Sequence, residues 1–172
     1  MQLSQRNMVR SESRIRAAVA AVIVSALVLP ATGQTADAPP VPSAAKQAVD
    51  ARKAIYTLIG SNFRPVAEVL QGRGQYDAAQ VQKRAARLAF LAEMALEAYP
   101  DASNTETVPT RAKPDIWSHR AEFDQRLKDF QTHTQALVQA AATEKSASDA
   151  FKAAASAVAQ DCKGCHDNFR EK

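Results

Sequence analysis

The chain has 172 residues with only 5 glycines, 8 prolines and 6% aromatic side chains. That composition, with long alanine-rich stretches, describes an all-α protein and excludes a sandwich or barrel, and the length gives one domain with a core of its own. The formal charge of +4 is concentrated in the N-terminal segment. Losing its four arginines and one glutamate leaves about +1 with the signs interspersed, which excludes nucleic acid as a partner.

Residues 1–33 carry Arg6, Arg10, Arg14 and Arg16, then an apolar run from Ala17 to Leu29, then Pro30 and small residues from Ala31 to Gly33. This is the pattern of a cleaved secretory signal peptide, with the cut expected near Gly33 or Ala36. The run is shorter than the roughly 20 apolar residues of a membrane span, so a periplasmic protein free of the membrane is expected after cleavage. Residues 34–42, rich in Pro and Ala, read as a linker, and residues 43–172 as the folded domain.

Helix one is expected from Ser43 to about Gln71, where Val49, Arg52, Ile55, Tyr56, Ile59 and Phe63 recur at helical spacing and Gly72 and Gly74 end the run. Pro65 is expected to bend its last third. Asp77 and Gln80 form the N-cap and capping-box partner of helix two, which runs through Val81, Leu88, Leu91, Leu96 and Tyr99 to Pro100. Asp101 to Lys113 has no period and contains Pro109. It reads as a long surface loop suited to a pocket rim. Pro114 opens helix three, with Ile116, Trp117, Phe123, Leu127, Phe130 and Leu137 on its inner stripe and His119 and His133 expected to be exposed. Thr143 is the expected cap of helix four, whose inner face runs Phe151, Ala154, Val158, Cys162, Cys165, Phe169. Four such helices make an antiparallel four-helix bundle.

Cys162, Cys165 and His166 have the spacing of a c-type haem attachment site. On a helix they stand at i, i+3 and i+4, so both thiols and the imidazole project from one face and can meet the edge and the iron of one porphyrin. Covalent attachment suits an exported protein, so leader and motif support each other. A thioredoxin-like site would need a domain after the motif, and only six residues follow His166. A zinc site would need two more ligands at matched spacing, and a disulfide three residues along a helix would be strained. Arg170, four residues beyond His166, either lies near the imidazole or is a solvated arginine at the helix end.

The chain resembles the cytochrome c′ family, the class II c-type cytochromes. The likeness rests on Arg52 followed four residues later by Tyr56, on Gly72 to Ala79 (GRGQYDAA), on Lys113 to Trp117 (KPDIW) and on Cys162 to Arg170 (CKGCHDNFR). It implies one haem c in a four-helix bundle, His166 as proximal iron ligand, and Arg52 and Lys53 near the haem propionates. It also implies Tyr56 over the vacant side of iron, Arg170 flanking the proximal face, and a homodimer. Low-spin relatives take a sixth ligand from a methionine in helix one. This chain has no Met between Gly33 and Phe90, and Met94, on helix two, reads as core filler. The expected function is therefore a five-coordinate, redox-active haem that binds small gases such as nitric oxide and carbon monoxide and exchanges electrons with a periplasmic redox partner. A low-spin electron carrier of the cytochrome c556 type is the alternative. Enzymatic turnover is not expected, because no general acid, base or nucleophile stands out.

Overall fold

A computed structural model describes residues 42–172, so the leader and all of the linker but Pro42 lie outside the described residues. Helix α1 spans Ala44–Leu70 and is capped by Ser43, whose Oγ accepts from the Lys46 N–H at 3.2 Å. Its buried face repeats every three or four residues through Val49, Arg52, Ile55, Ile59, Asn62, Val66 and Val69. Pro65 cannot donate to the Ser61 carbonyl. Arg84, on the next helix, donates to that carbonyl at 3.4 Å, and α1 continues to Leu70. Gly72 then takes φ +70°. This left-handed turn brings the Arg73 and Gly74 N–H groups onto the Glu68 carbonyl.

Helix α2 spans Ala78–Leu96, with Asp77 accepting from the Gln80 N–H at 3.0 Å as its cap. The continuous third helix of the sequence reading is two helices. A single turn, α3 (Asp115–Ser118), breaks at His119, whose φ −115° and ψ 43° are not helical, before α4 (Arg120–Thr143). Thr143 is not the cap of the last helix: it lies in α4 and bonds back to the Gln139 and Ala140 carbonyls. Ser148 caps α5 (Asp149–Phe169) by accepting from the Phe151 N–H. A serine directly before an acidic first-turn residue satisfies a free donor and complements the helix dipole, which Thr143 cannot do from inside a helix.

The connections Gln71–Asp77 and Glu144–Ser148 are short, so α1 and α2, and α4 and α5, pack as antiparallel neighbours; α2 against α4 and α1 against α5 close a four-helix bundle, with α3 as an accessory turn. Phe123, Phe151, Leu88, Ile116 and Leu137 are wholly buried in its core, each side chain contributing about 1.5–3 kcal/mol of apolar burial. Tyr76 ties the two short connections together. Its ring meets Phe151 edge-on at 5.0 Å and its hydroxyl donates to the Glu144 carbonyl at 3.0 Å. Among the described residues there is no strand, only an isolated bridge between Ala112 and Arg170.

Met94 is not core filler: it is 41% exposed, as are Phe90 at 63% and Leu58 at 50%. On α2 the core positions are taken by Ala85, Ala89, Ala92 and Ala95 beside Leu88 and Leu91. Small residues there let α2 approach its neighbours closely and leave Phe90 and Met94, four residues apart, on the outer face.

Candidate functional site

The long loop is held at the end of α5 by backbone. The Lys113 N–H donates to the Phe169 carbonyl at 3.0 Å and the Glu171 N–H to the Arg111 carbonyl at 2.8 Å. Arg111 adds two side-chain bonds to the Glu171 carbonyl, at 2.9 and 2.6 Å. These bonds set Thr110, Arg111 and Ala112 at the edge of a cavity of about 840 Å³, within the roughly 300–1,000 Å³ of cofactor sites. The expected rim role of this loop is what the fold displays.

Cys162, Cys165 and His166 all line this cavity from α5. Neither cysteine is in a disulfide, and before any attachment burial pushes each thiol up to about 11. They are therefore protonated at neutral pH. Burial, and then the positive charges of Arg170 and Arg111, lower the His166 pKa. The imidazole is thereby favoured in its neutral form, the one that can ligate a metal. Arg170 does lie beside it, Nη1 to Nδ1 3.4 Å.

The opposite wall comes from α1, where Tyr56, Ile59 and Phe63 face the cavity; Leu127 and Phe130 of α4 and Phe169 of α5 complete its apolar lining. The Tyr56 hydroxyl is buried without a hydrogen-bond partner among the described residues. Burial raises its pKa well above the ordinary tyrosine value, so it stays a phenol.

Arg52 and Lys53 also line the cavity. Arg52 is only 3% exposed. Its guanidinium donates to the Ser103 hydroxyl and the Thr110 hydroxyl, each at 3.0 Å, and lies over the Tyr99 ring at 4.9 Å and the Trp117 ring at 5.8 Å. It forms no ion pair among the described residues. A buried cation with neutral partners only is suited to an anionic group entering from the cavity. Lys53, exposed, donates to the Pro109 carbonyl at 2.7 Å.

All seven residues singled out in the sequence thus surround one space. Sequence reasoning missed Arg64, Thr110, Arg111, Arg126 and Asp161, which line it too. Arg126 and Asp161 had a signal, standing next to Leu127 and Cys162 on inward stripes; Thr110 and Arg111 lie where no period exists. His133 was expected to be exposed and is not. It is half-buried and its Nδ1 meets Asp161 Oδ2 at 2.7 Å, joining α4 to α5. Among the described residues no three or more His, Cys, Asp or Glu gather as they would round a bare metal ion.

An apolar cleft with two cysteines outside any disulfide and a neutral imidazole on one wall and a buried, unpaired arginine on another fits a haem held by thioether bonds. The cytochrome c′ family model matches residues 47–170. The chain belongs to the cytochrome c′ family. Its cofactor is therefore haem c, one group attached through Cys162 and Cys165. Cytochrome c′ of Alcaligenes xylosoxydans xylosoxydans is 33% identical over 127 residues, 74% of this chain and 95% of that protein. The structure of cytochrome c prime from Shewanella frigidimarina superposes with a TM-score of 0.70 at 30% identity, covering 77% of this chain and all of that one. A ferrous variant of the Alcaligenes xylosoxidans protein with bound NO gives 0.66 at 31% identity, covering 77% and 99%.

Proposed function

We propose that this chain is a periplasmic cytochrome c′ in which His166 is the single protein ligand to iron, the opposite face accepts nitric oxide or carbon monoxide, and the protein cycles between ferric and ferrous states. One observation carries the reading. Of the residues lining the cavity, His166 alone offers an imidazole, and no methionine is among them. A c-type iron takes its protein ligands chiefly from His and Met. Met94 stands exposed on α2, His119 is exposed, and His133 is engaged with Asp161.

When bound, haem supplies an iron that changes oxidation state and can hold a small uncharged ligand. The protein's part is to position and to exclude. Cys162 and Cys165 would hold the porphyrin edge to α5 and His166 would ligate the iron, while Arg52 and Lys53 would receive the propionates. Tyr56, Ile59 and Phe63 keep the α1 side apolar and narrow, and the protonated Tyr56 hydroxyl is bulk or a hydrogen-bond donor there, not an anionic ligand. The relative with bound NO supports the gas-binding half of the reading.

Export to the periplasm rests on the Arg-flanked apolar run of residues 1–33; among the described residues no helix is long and apolar enough to cross a membrane. A homodimer is supported by the outward Leu58, Phe90 and Met94 of α1 and α2. The protein is read as a binder and carrier without substrate turnover, Asp161, the cavity's one carboxylate, being taken up by His133.

The test is the absorption spectrum of the purified protein, oxidised, reduced, and reduced under carbon monoxide. Broad high-spin bands that sharpen and shift with the gas are expected. Sharp, split low-spin bands in the reduced state without gas would overturn the reading in favour of a six-coordinate carrier.

A further inference from the structure

Among the residues lining the haem cavity Asp161 is the one acid. Its side chain is 14% exposed, and His133 of α4 meets it, Nδ1 to Oδ2, at 2.7 Å. The imidazole is 40% exposed, so the pair runs from solvent to the cavity wall across the α4–α5 contact. With Nδ1–H donating to the carboxylate, Nε2 is the atom left to take a proton. A protonated ring makes the bond an ion pair, whereas a neutral ring leaves a lone anion at the wall.

That anion is felt where the porphyrin edge would be attached. Asp161 directly precedes Cys162, and its charge adds to burial in raising both thiols, against Arg126 at Cys165. Burial raises Asp161 itself, the bond and charge of His133 lower it, and Asp129, one turn before His133 on α4, raises it again. The other charged groups round the cavity are cations: Arg52, Lys53 and Arg64 of α1, Arg111 of the loop, Arg126 of α4 and Arg170 beyond α5. None of these, and no charged group of α2, hydrogen-bonds to the pair among the described residues. The remaining titratable groups there are the two thiols, the Tyr56 and Tyr99 phenols and His166. Imidazole is the side chain whose ordinary titration falls near neutrality, and with His166 committed to iron, His133 is the one left.

We propose that His133 and Asp161 form a redox-linked proton site, which takes a proton from solvent when the protein accepts an electron and returns it on oxidation. The inference rests on the redox half of the reading above. One electron arrives from a one-electron donor and one proton from water; the only bond formed is N–H at His133 Nε2, and oxidation reverses both transfers. An arriving electron removes one positive charge from a site that already holds the Asp161 anion. In a cavity shielded from water that change is strongly felt, and an imidazolium bonded to the carboxylate offsets it. By linkage, reduction becomes harder as pH rises through the titration of the pair.

The experiment uses the whole haem-loaded protein, reduced with dithionite, freed of excess reductant and titrated with ferricyanide in weakly buffered solution containing a pH indicator. Ferricyanide takes one electron and no proton, so acid appearing in solution comes from the protein. Release should peak within the imidazole range, about pH 5–8, and the midpoint potential should fall across that range by up to about tenfold in the reduction equilibrium, about 59 mV for one electron. His133→Gln should remove this release with the absorption spectrum retained. Asp161→Asn, which keeps a hydrogen-bonding partner for His133, should remove it too. It should also raise the reduction equilibrium constant at about pH 8 at least threefold or so, because an anion beside the porphyrin edge is gone. His119→Gln, at the exposed break before α4, should leave the release unchanged. A bond that served only to join α4 to α5 would move none of these readings. Release that survives in either His133→Gln or Asp161→Asn, or a potential that does not vary with pH in the unmutated protein, would overturn the proton site while the redox reading stands. If dithionite and ferricyanide cannot cycle the protein at all, the redox reading fails and the proton site falls with it.

Discussion

On α5, three reactive side chains, Cys162, Cys165 and His166, share little more than one helical turn. On α1, the residues facing the same cavity are Tyr56, Ile59 and Phe63, with Gly60 among them. One wall carries the attachment residues and the other, at Tyr56, Ile59 and Phe63, offers no covalent or imidazole anchor, and the difference shows where this protein's function resides. Attachment needs specific nucleophiles at fixed spacing. An open coordination site needs only bulk, apolar surface and the lack of a competing ligand, and many sequences supply that.

The largest effect is expected on the α5 wall. Replacing both Cys162 and Cys165 with Ala should abolish covalent haem, read as loss of haem stain on a denaturing gel; a band that keeps its haem would break the distinction between the walls. Single replacements should leave a weaker attachment through the remaining thioether.

On the α1 wall, Tyr56→Ala should raise carbon monoxide affinity about tenfold by removing bulk, equivalent to about 1.4 kcal/mol, measured by titration of the reduced protein. The hydroxyl has no hydrogen-bond partner among the described residues, so truncation leaves no partner there unsatisfied. A comparable fall in affinity would mean the phenol donates to the bound gas, and the α1 wall would then be a chemical participant.

The smallest effect sharpens the same point. Gly60 has ordinary backbone geometry, and a Cβ built there would meet no protein atom within 4 Å among the described residues. Gly60→Ala should therefore stabilise the protein by about 0.5–1 kcal/mol, the helix preference for Ala over Gly, seen as a higher melting temperature of the haem-loaded protein. No gain, or a loss, would show that this part of α1 is kept flexible or closely packed in the assembled protein.

Much of the site could be read without coordinates. The i, i+3, i+4 array of Cys162, Cys165 and His166 is local, and a helix fixes its geometry whatever lies around it. The inward stripe of α1 placed Tyr56, Ile59 and Phe63 for the same reason, and Ser43 and Asp77 acted as caps because capping is decided within one turn. Where two caps were available, Thr143 and Ser148, local signals could not choose. The end of α4 continued past the first because helical bonds to Gln139 and Ala140 satisfied it there.

The remaining features join positions far apart in sequence and depend on how each helix is rotated about its axis. Four alanines on the inner face of α2 turned Met94 outward, and the packing of α4 on α5 set His133 against Asp161. Arg52 met Ser103 and Thr110 only because the long loop folded back over α1. The charge pattern shows this most plainly. Read in order, the cations and anions of residues 42–172 are interspersed and nearly cancel. The bundle brings Lys53 and Arg64 of α1, Arg111 of the loop and Arg170 beyond α5 to one opening, because a charge pays little to sit anywhere on a solvated surface and chain order does not constrain which surface charges become neighbours. Sequence alone determined most of the helices and the haem attachment motif; tertiary packing determined which charges gather round the cavity.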